Sequence, residues 1–383
     1  MRILFHSPSP QSPTGYGGIV SAIAPRLASM GHDVAIFAYN GHWGGPQTWK
    51  GVTLFSRGVL YNGADMLAEY AAHWQAERII SVCDPWIVPA RVWRAQSVPV
   101  TMWCPVQAAP LHAEYRAVLD CADDIWVYSE FGAGVLEEAG VDAIHMPLGY
   151  DPELYGALDK AECRAWFDEL LGGATAGKTL IGVIAANAST VPSSRKGLDT
   201  ALRIMATLKA RVPGEHMMYM HTRQNTDIGG IDLAAIVRDL DIADVVLFPD
   251  AITAHQGAPA AWMAKMTAAL DVLLAPSMAE GFGMPLLEAQ MAGVPVVTVE
   301  WSSMPELVGD GWLVKPAATQ WADGAPGGWV AVPDETALAY VAGRALLGRW
   351  VYDPPVLDKM RGWTWDNIAG RIDDRLGGVW LTN

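Results

Sequence analysis

Two acids bracket a glycine-aromatic-glycine turn in Glu280-Gly-Phe-Gly-Met-Pro-Leu-Leu-Glu288. An apolar run, Asp271-Val-Leu-Leu-Ala-Pro276, precedes the turn, and Met284–Gly293 follows it with a proline at its start and a glycine at its stop. The pattern predicts a buried strand, a loop carrying Glu280, and a helix with Glu288 near its N-terminal turn. Unpaired backbone N–H groups and the positive end of a helix dipole suit an anion such as a diphosphate. Carboxylates do not bind phosphate; their partners are hydroxyls. A nucleotide sugar offers a diphosphate together with hydroxyls on its ribose and its hexose. Taken singly, Glu280 could be a loop charge and Glu288 a dipole partner. Two acids around Gly281, Phe282 and Gly283 at one strand-to-helix turn favour the functional reading.

A second cluster lies in Asn187-Ala-Ser-Thr-Val-Pro-Ser-Ser-Arg-Lys-Gly197, where Arg195 and Lys196 are adjacent cations at another strand-to-helix turn. In a chain of net charge -15 such a pair is either solvated or placed to clamp a diphosphate from the side opposite Gly283. The position at the same sheet edge as Glu280 favours the clamp. A third feature is Thr14-Gly-Tyr-Gly-Gly18, in a β-α-β unit. It is not a dinucleotide fingerprint: Val20 occupies the third glycine position, and the second strand ends in Tyr39-Asn40 without an acid. Gly17 and Gly18 instead let backbone approach a phosphate or sugar, or form a plain tight turn.

The elements that must position these residues come in two series. In the first half, strands at Arg2–His6, Asp33–Ala38, Val52–Phe55, Arg78–Cys83, Val98–Trp103 and Ile125–Tyr128 are interleaved with helices at Ile19–Met30, Asp65–Gln75 and Glu130–Ala139. Alternation of this kind implies a parallel sheet wrapped on both faces. Ligands of such sheets bind beyond the carboxyl ends of the strands, which makes Asp84, Trp86, Trp103 and Gln107 acceptor-side candidates. Core packing is the competing assignment for each tryptophan. A polar connector at Asp151–Gly177 holds the domain boundary, placed at 157/158. A second alternation then begins, with strands at Leu180–Ala185, His216–His221, Val245–Phe248, Val272–Ala275 and Pro295–Val299. Pro316–Gly328 reads as a loop. Near the end, Trp365, Ile368, Ile372 and Leu376 share one helix face, which needs a surface to cover and is expected to return to the first domain.

The whole chain bounds these readings. Its 383 residues suit about two domains, and a hydrophobic content of 51% supplies two cores. The acidic balance counts against capture of nucleic acid or an anionic bilayer. No apolar run reaches the length of a membrane span, and Met1-Arg-Ile-Leu-Phe-His6 opens as a strand rather than a signal peptide. Cys83, Cys104, Cys121 and Cys163 lack metal spacing and read as reduced thiols. The expectation is a cytoplasmic chain, with peripheral attachment to a membrane left open.

With these motifs assembled, the chain resembles the retaining glycosyltransferases of family 4 over nearly its whole length. The Glu-x7-Glu element from Glu280 to Glu288 is the most specific part. Arg195-Lys196-Gly197, Gly17-Gly18, Tyr128-Ser-Glu-Phe-Gly132 leading to Pro147-Leu-Gly149, and Trp363-Thr-Trp365 add to it. The resemblance implies a GT-B fold: α/β, two Rossmann-like doubly wound parallel-sheet domains facing a cleft, with a C-terminal helix crossing back to the first. It divides the chain into an acceptor-side domain of residues 1–157 plus 363–383 and a donor-binding domain of residues 158–362.

On matching positions, Glu288 would hold the donor ribose and Glu280 the hexose. Backbone from Gly281 through Phe282, Gly283, Met284 and Pro285 to Leu287 would bind sugar hydroxyls and phosphate. Arg195 and Lys196 would neutralise the leaving diphosphate, with Gly17, Gly18 and Asn187 completing the donor site. No cofactor or metal is implied, so Asp123-Asp124 reads as a solvated turn. Two departures stand out. The family's first-domain histidine is missing from Met102-Trp-Cys-Pro-Val-Gln107, leaving Gln107 or a backbone carbonyl to line the reacting centre. The basic pair is contiguous where family members separate it.

The activity implied is retaining transfer of a hexosyl group from a nucleotide diphosphate sugar, UDP favoured and GDP the alternative. The acceptor is undefined: glycan, lipid-linked sugar, protein or modified nucleobase. Competing readings are a GT-B epimerase or phosphorylase and a non-catalytic nucleotide-sugar-binding subunit.

Overall fold

The computed structural model describes residues 1–188, 195–224, 229–323, 327–348 and 351–378. The chain divides into two compact units: Met1–Gly149, Trp321–Gly328 and Trp363–Asn383 form the first, and Tyr150–Gln320 with Trp329–Gly362 the second. The division falls at Gly149/Tyr150, ahead of the 157/158 boundary expected from composition. Tyr150 is tied to the second unit because its phenol donates to the Arg361 carbonyl at 3.4 Å.

In the first unit, strands β1 (Arg2–Pro8), β2 (Asp33–Asn40), β3 (Gln47–Trp49), β4 (Val52–Phe55), β5 (Arg78–Val82), β6 (Val100–Cys104), β7 (Asp124–Val127) and β8 (Ile144–His145) form one sheet of order β3-β4-β2-β1-β5-β6-β7-β8. Every pair is parallel except the β3–β4 edge. The central strands carry uninterrupted apolar runs, such as Ile3-Leu4-Phe5, because helices cover both faces. One expectation fails at the first helix, which begins at Gly15 rather than Ile19, with Thr14 accepting from the Gly17 amide at 3.1 Å. Gly17 and Gly18 therefore lie in a helical turn and not in a loop.

Asp123 and Asp124 also depart from the solvated-turn reading. Asp123 accepts from the Val100 amide at 2.8 Å, and Asp124 takes the Trp126 indole N–H at 2.9 Å and the Arg375 guanidinium at 3.0 and 3.1 Å. Arg375 belongs to the helix Trp365–Gly378, which packs on the first unit's helix Gly15–Ser29. Its buried face carries Trp365, Ile368, Ile372 and Leu376, as the sequence periodicity predicts. Arg26 and His32 reach Asp366 and Asp373 along the rim. Gly149 marks where this segment meets the first unit, since a Cβ there would lie 2.9 Å from the Trp365 amide nitrogen and 3.0 Å from its Cα. Backbone cannot yield as a side-chain tip does. Gly149→Ala is therefore expected to destabilise the protein by about 1–3 kcal/mol, visible as a lowered thermal midpoint.

The second unit's sheet contains β9 (Thr179–Ile184), β10 (His216–His221), β11 (Val246–Leu247), β12 (Val272–Ala275), β13 (Val296–Val299), β14 (Asp310–Val314) and, after a two-stranded ribbon of β15 (Ala318–Ala322) and β16 (Gly328–Val332), β17 (Val351–Tyr352). Its order is β11-β10-β9-β12-β13-β14-β17, parallel except for β14–β17. Strand β15 falls within the stretch 316–328 that reads as a loop in sequence. Because β12 pairs with both β9 and β13, the segments that come after these three strands emerge side by side at their carboxyl ends.

Candidate active site

The loop after β12 carries Glu280 into contact with the segment that enters the next helix of β9. Residues 189–194 lie outside the described residues, but Arg195, Lys196 and Gly197 are clasped to this loop. The Met278 amide donates to the Arg195 carbonyl at 2.8 Å, and the Arg195 guanidinium donates to the Ala279 carbonyl. Gly197 caps the helix Leu198–Arg211 at φ 63, directly against the Pro276 carbonyl. Contiguity of the two cations follows from this clasp: one packs its backbone on the loop while the other reaches the acid.

Lys196 Nζ donates to both carboxylate oxygens of Glu280, at 2.7 and 2.6 Å, and Arg195 Nη1 stands 3.8 Å from Oε2. Ser277 Oγ donates to Oε1 at 2.7 Å. The backbone of Glu280 is fixed as well: its amide donates to Ser302 Oγ at 3.0 Å, and Ser303 Oγ donates to the carbonyls of Glu280 and Phe282 at 2.9 and 2.7 Å. Only 13% of the Glu280 side chain is exposed. Burial by itself raises the pKa of this carboxyl, but Lys196, Arg195 and Ser277 outweigh it and hold the group below its ordinary value, as a carboxylate.

Three residues further on, Gly283 adopts φ 111 and starts the helix Met284–Met291, whose N-terminus has no side-chain cap. Pro285 sits in its first turn. Phe282 and Leu287 are core side chains, so a ligand would meet these two residues through their backbone. Glu288 falls in the second turn, one turn later than the sequence suggests. Its carboxyl is pushed up to about 7 by burial, against a hydrogen bond with Tyr155 that acts to lower it. Tyr155, from the short helix Pro152–Tyr155, is itself raised, first by burial and then by the Glu288 charge.

The Glu288 shift has a sign that can be tested. A carboxyl whose value rises from 4.5 to about 7 on folding contributes stability that is fully present below 4.5 and lost as pH climbs to about 7. Glu288→Gln, which mimics the protonated acid, should match the wild-type melting temperature near pH 4.5 and exceed it by a few degrees above pH 7. Parallel melting curves across that window would contradict the assignment.

The remaining sequence candidates separate from this cluster. Asn187 is buried, donating to the carbonyls of Arg223 and Ile231 at 3.0 and 2.8 Å and accepting from the Ile231 amide at 2.9 Å. It braces the loop after β10. Gly17 and Gly18 are in the first unit; a Cβ at Gly17 would meet the Ser9 and Ser12 carbonyls at 2.6 and 2.7 Å, so this glycine admits the chain's own loop. Trp103 is a correction: it is 0% exposed, donates its indole N–H to the Met146 carbonyl at 2.9 Å and packs edge-on against Trp126, so it is core and not a platform. Gln107 is buried, whereas Asp84 is half-buried and Trp86 is 39% exposed at the carboxyl end of β5.

Ser277, Ser302, Ser303 and Tyr155 are the site residues that sequence reading misses. The three serines come directly after β12 and β13, and the rule that ligands gather beyond strand carboxyl ends points at them. Among the described residues, no group of three His, Cys, Asp or Glu side chains is arranged as a metal site. No helix among them is long and apolar enough to cross a membrane.

The two-unit architecture is that of the GT-B fold, and known structures share it end to end. The Anabaena HepE protein, solved in complex with UDP-glucose, matches with a TM-score of 0.70 at 18% identity, covering 99% of this chain and 100% of that one. Residues 183–325 match the family model described as Glycosyl transferases group 1, a span that includes Arg195, Lys196, Glu280 and Glu288. The D-inositol 3-phosphate glycosyltransferase of Segniliparus rotundus is 29% identical over 161 residues, 41% of this chain and 34% of the relative. A GDP-mannose-dependent alpha-(1-6)-phosphatidylinositol monomannoside mannosyltransferase from Mycolicibacterium smegmatis is 28% identical over 247 residues, 61% of this chain and 56% of the relative. The chain thus spans roughly a third to just over half the length of these two curated relatives.

Proposed function

We propose that this chain is a retaining, metal-independent glycosyltransferase of the family 4 type, moving a hexosyl group from a nucleotide diphosphate sugar to an acceptor held by the first unit. The observation that carries the reading is the convergence of Lys196 and Arg195 on Glu280, beside the uncapped start of the helix Met284–Met291. In this reading the diphosphate lies at that helix start, where dipole and cations add. Glu280, kept ionised by its neighbours, accepts hydrogen bonds from the hexose, and Glu288 accepts them from the ribose.

Cleavage of the bond between the anomeric carbon and the phosphate oxygen leaves its electron pair, and negative charge, on the diphosphate. Lys196 and Arg195 stabilise that charge as it develops. The acceptor hydroxyl attacks from the same face and gives its proton to the departing phosphate oxygen, so retention requires no carboxylate nucleophile. The HepE complex supports a UDP-sugar as donor. The GDP-mannose-dependent relative is the reason to test GDP-sugars beside it.

A thermal-shift screen of UDP-glucose, UDP-galactose, UDP-N-acetylglucosamine and GDP-mannose tests the donor assignment. One of them should raise the melting temperature of the wild type, and Glu288→Ala should abolish that rise through loss of the ribose contact. No shift with any nucleotide sugar, or an equal shift in the variant, would overturn it.

A further inference from the structure

The ribbon β15–β16 stands between β14 and the helix Glu335–Leu346 and joins neither large sheet. Two strands alone have little stability in water, so the ribbon must be held by what it touches. Strand β16 is held at both ends, and by different units: the division of the chain falls inside it, between Gly328 and Trp329. At its start Gly328 takes φ 142, and a Cβ there would lie 2.9 Å from the Ala108 Cβ and 3.0 Å from the Ala109 carbonyl oxygen. Gly328, Ala108 and Ala109 all belong to the first unit, the two alanines in the loop after β6.

Three residues further on, the Ala331 amide donates to the Met278 carbonyl at 2.9 Å, and the Met278 amide donates to the Arg195 carbonyl at 2.8 Å. Met278, two residues ahead of Glu280, is thus the middle rung of a backbone ladder that runs from β16 to the segment bearing Arg195 and Lys196. Val330 and Ala331 are buried, so water does not compete for the Ala331 bond. A strand is already close to full extension and cannot lengthen to absorb a movement at one end. We infer that β16 is a positioning strand, which holds the Met278–Glu280 loop through the Ala331 amide and ties that hold to the loop after β6 through Gly328. A displacement of either loop is then passed to the other along a few residues of backbone. The tie stands apart from the transferase reading; only its consequence, that Lys196, Arg195 and Glu280 are set in concert with the loop after β6, rests on that reading.

Hydrogen exchange on the full chain, with no ligand present, tests the tie. Ala331→Pro removes the N–H that Met278 accepts and leaves the ribbon bond from the Ala317 amide to the Val332 carbonyl in place. It should speed exchange about fivefold, the weight of one backbone hydrogen bond, both in residues 277–283 and in residues 106–113. Ala331→Gly keeps the N–H and should speed neither stretch. Two glycines inserted between Gly328 and Trp329 give the strand slack, so that adding Ala331→Pro to them should speed exchange in residues 277–283 alone. Gly328→Ala works from the other end, and decides the question even where the proline variant does not fold: it should speed exchange in residues 277–283. Exchange in residues 106–113 that is unchanged by Ala331→Pro, or equally raised in the slackened chain, would overturn the tie, as would unchanged exchange in residues 277–283 of Gly328→Ala. Thermal shifts of the wild type with UDP-glucose and GDP-mannose keep the two claims apart. If neither nucleotide sugar binds, the transferase reading falls and the exchange results still decide the tie.

Discussion

Replacing Lys196 by alanine is expected to lower kcat for sugar transfer by about 100- to 1,000-fold, with a much smaller change in the KM of the donor. The split follows from when the cation acts. In the proposed mechanism the ground-state diphosphate is held by the helix start and Arg195, and Lys196 acts on the extra charge that appears on bond cleavage. One confounding effect can be separated. Without Lys196 the buried Glu280 carboxylate keeps Ser277 at 2.7 Å and Arg195 only at 3.8 Å, so the folded state weakens too. The double variant Lys196→Ala/Glu280→Gln removes that stranded charge. It should regain melting temperature but not turnover. Turnover within about threefold of wild type in either variant would dismiss the proposed role, that being less than one ordinary hydrogen bond.

Gly197→Ala should be among the more damaging single methyl additions in the second unit, costing about 2–5 kcal/mol. Its φ of 63 disfavours any side chain, and its Cβ would run into the Pro276 carbonyl. The first effect is worth about 1–2 kcal/mol and the overlap with backbone adds a similar amount or more. Relief would require the loop after β12 to pull away from Arg195 and Lys196, so lost stability and lost donor binding should appear together. Urea denaturation and a donor thermal shift measure the two. A variant that melts like wild type would mean that the clasp between the two loops is not as tight as described.

Much of this is legible in the chain itself, for reasons specific to the residues. Ile3-Leu4-Phe5 and Val272-Leu273-Leu274 announce buried parallel strands because both faces must be apolar. The Glu280–Glu288 stretch stands out because its functional spacing is local: glycine, proline and acids all lie within one turn and one helix. The hidden part depends on contacts distant in sequence. Ser302 and Ser303 secure the Glu280 loop from the neighbouring strand, and Tyr155 reaches Glu288 from the connector. Nothing near Ser302, Ser303 or Tyr155 in sequence reveals which loop each will touch. Trp103 and Trp86 illustrate the converse. Both lie close to strand carboxyl ends, yet Trp103 is held within β6 and turned into the core, while Trp86 sits on the turn after β5 and reaches the surface. Asp124 likewise looks like a turn charge until Arg375 arrives from the far end of the chain.

The helix Trp365–Gly378 also sets the order in which the protein can be assembled. All of the second unit is translated before this helix leaves the ribosome, so the first unit must wait, its sheet made but part of its helical layer uncovered, until Ile368, Ile372 and Leu376 arrive. During that interval the apolar surface of Gly15–Ser29 is open to chaperones or to other nascent chains. An excised fragment of residues 1–149 is expected to remain in that unfinished state, and to become soluble when the 363–378 peptide is supplied in trans.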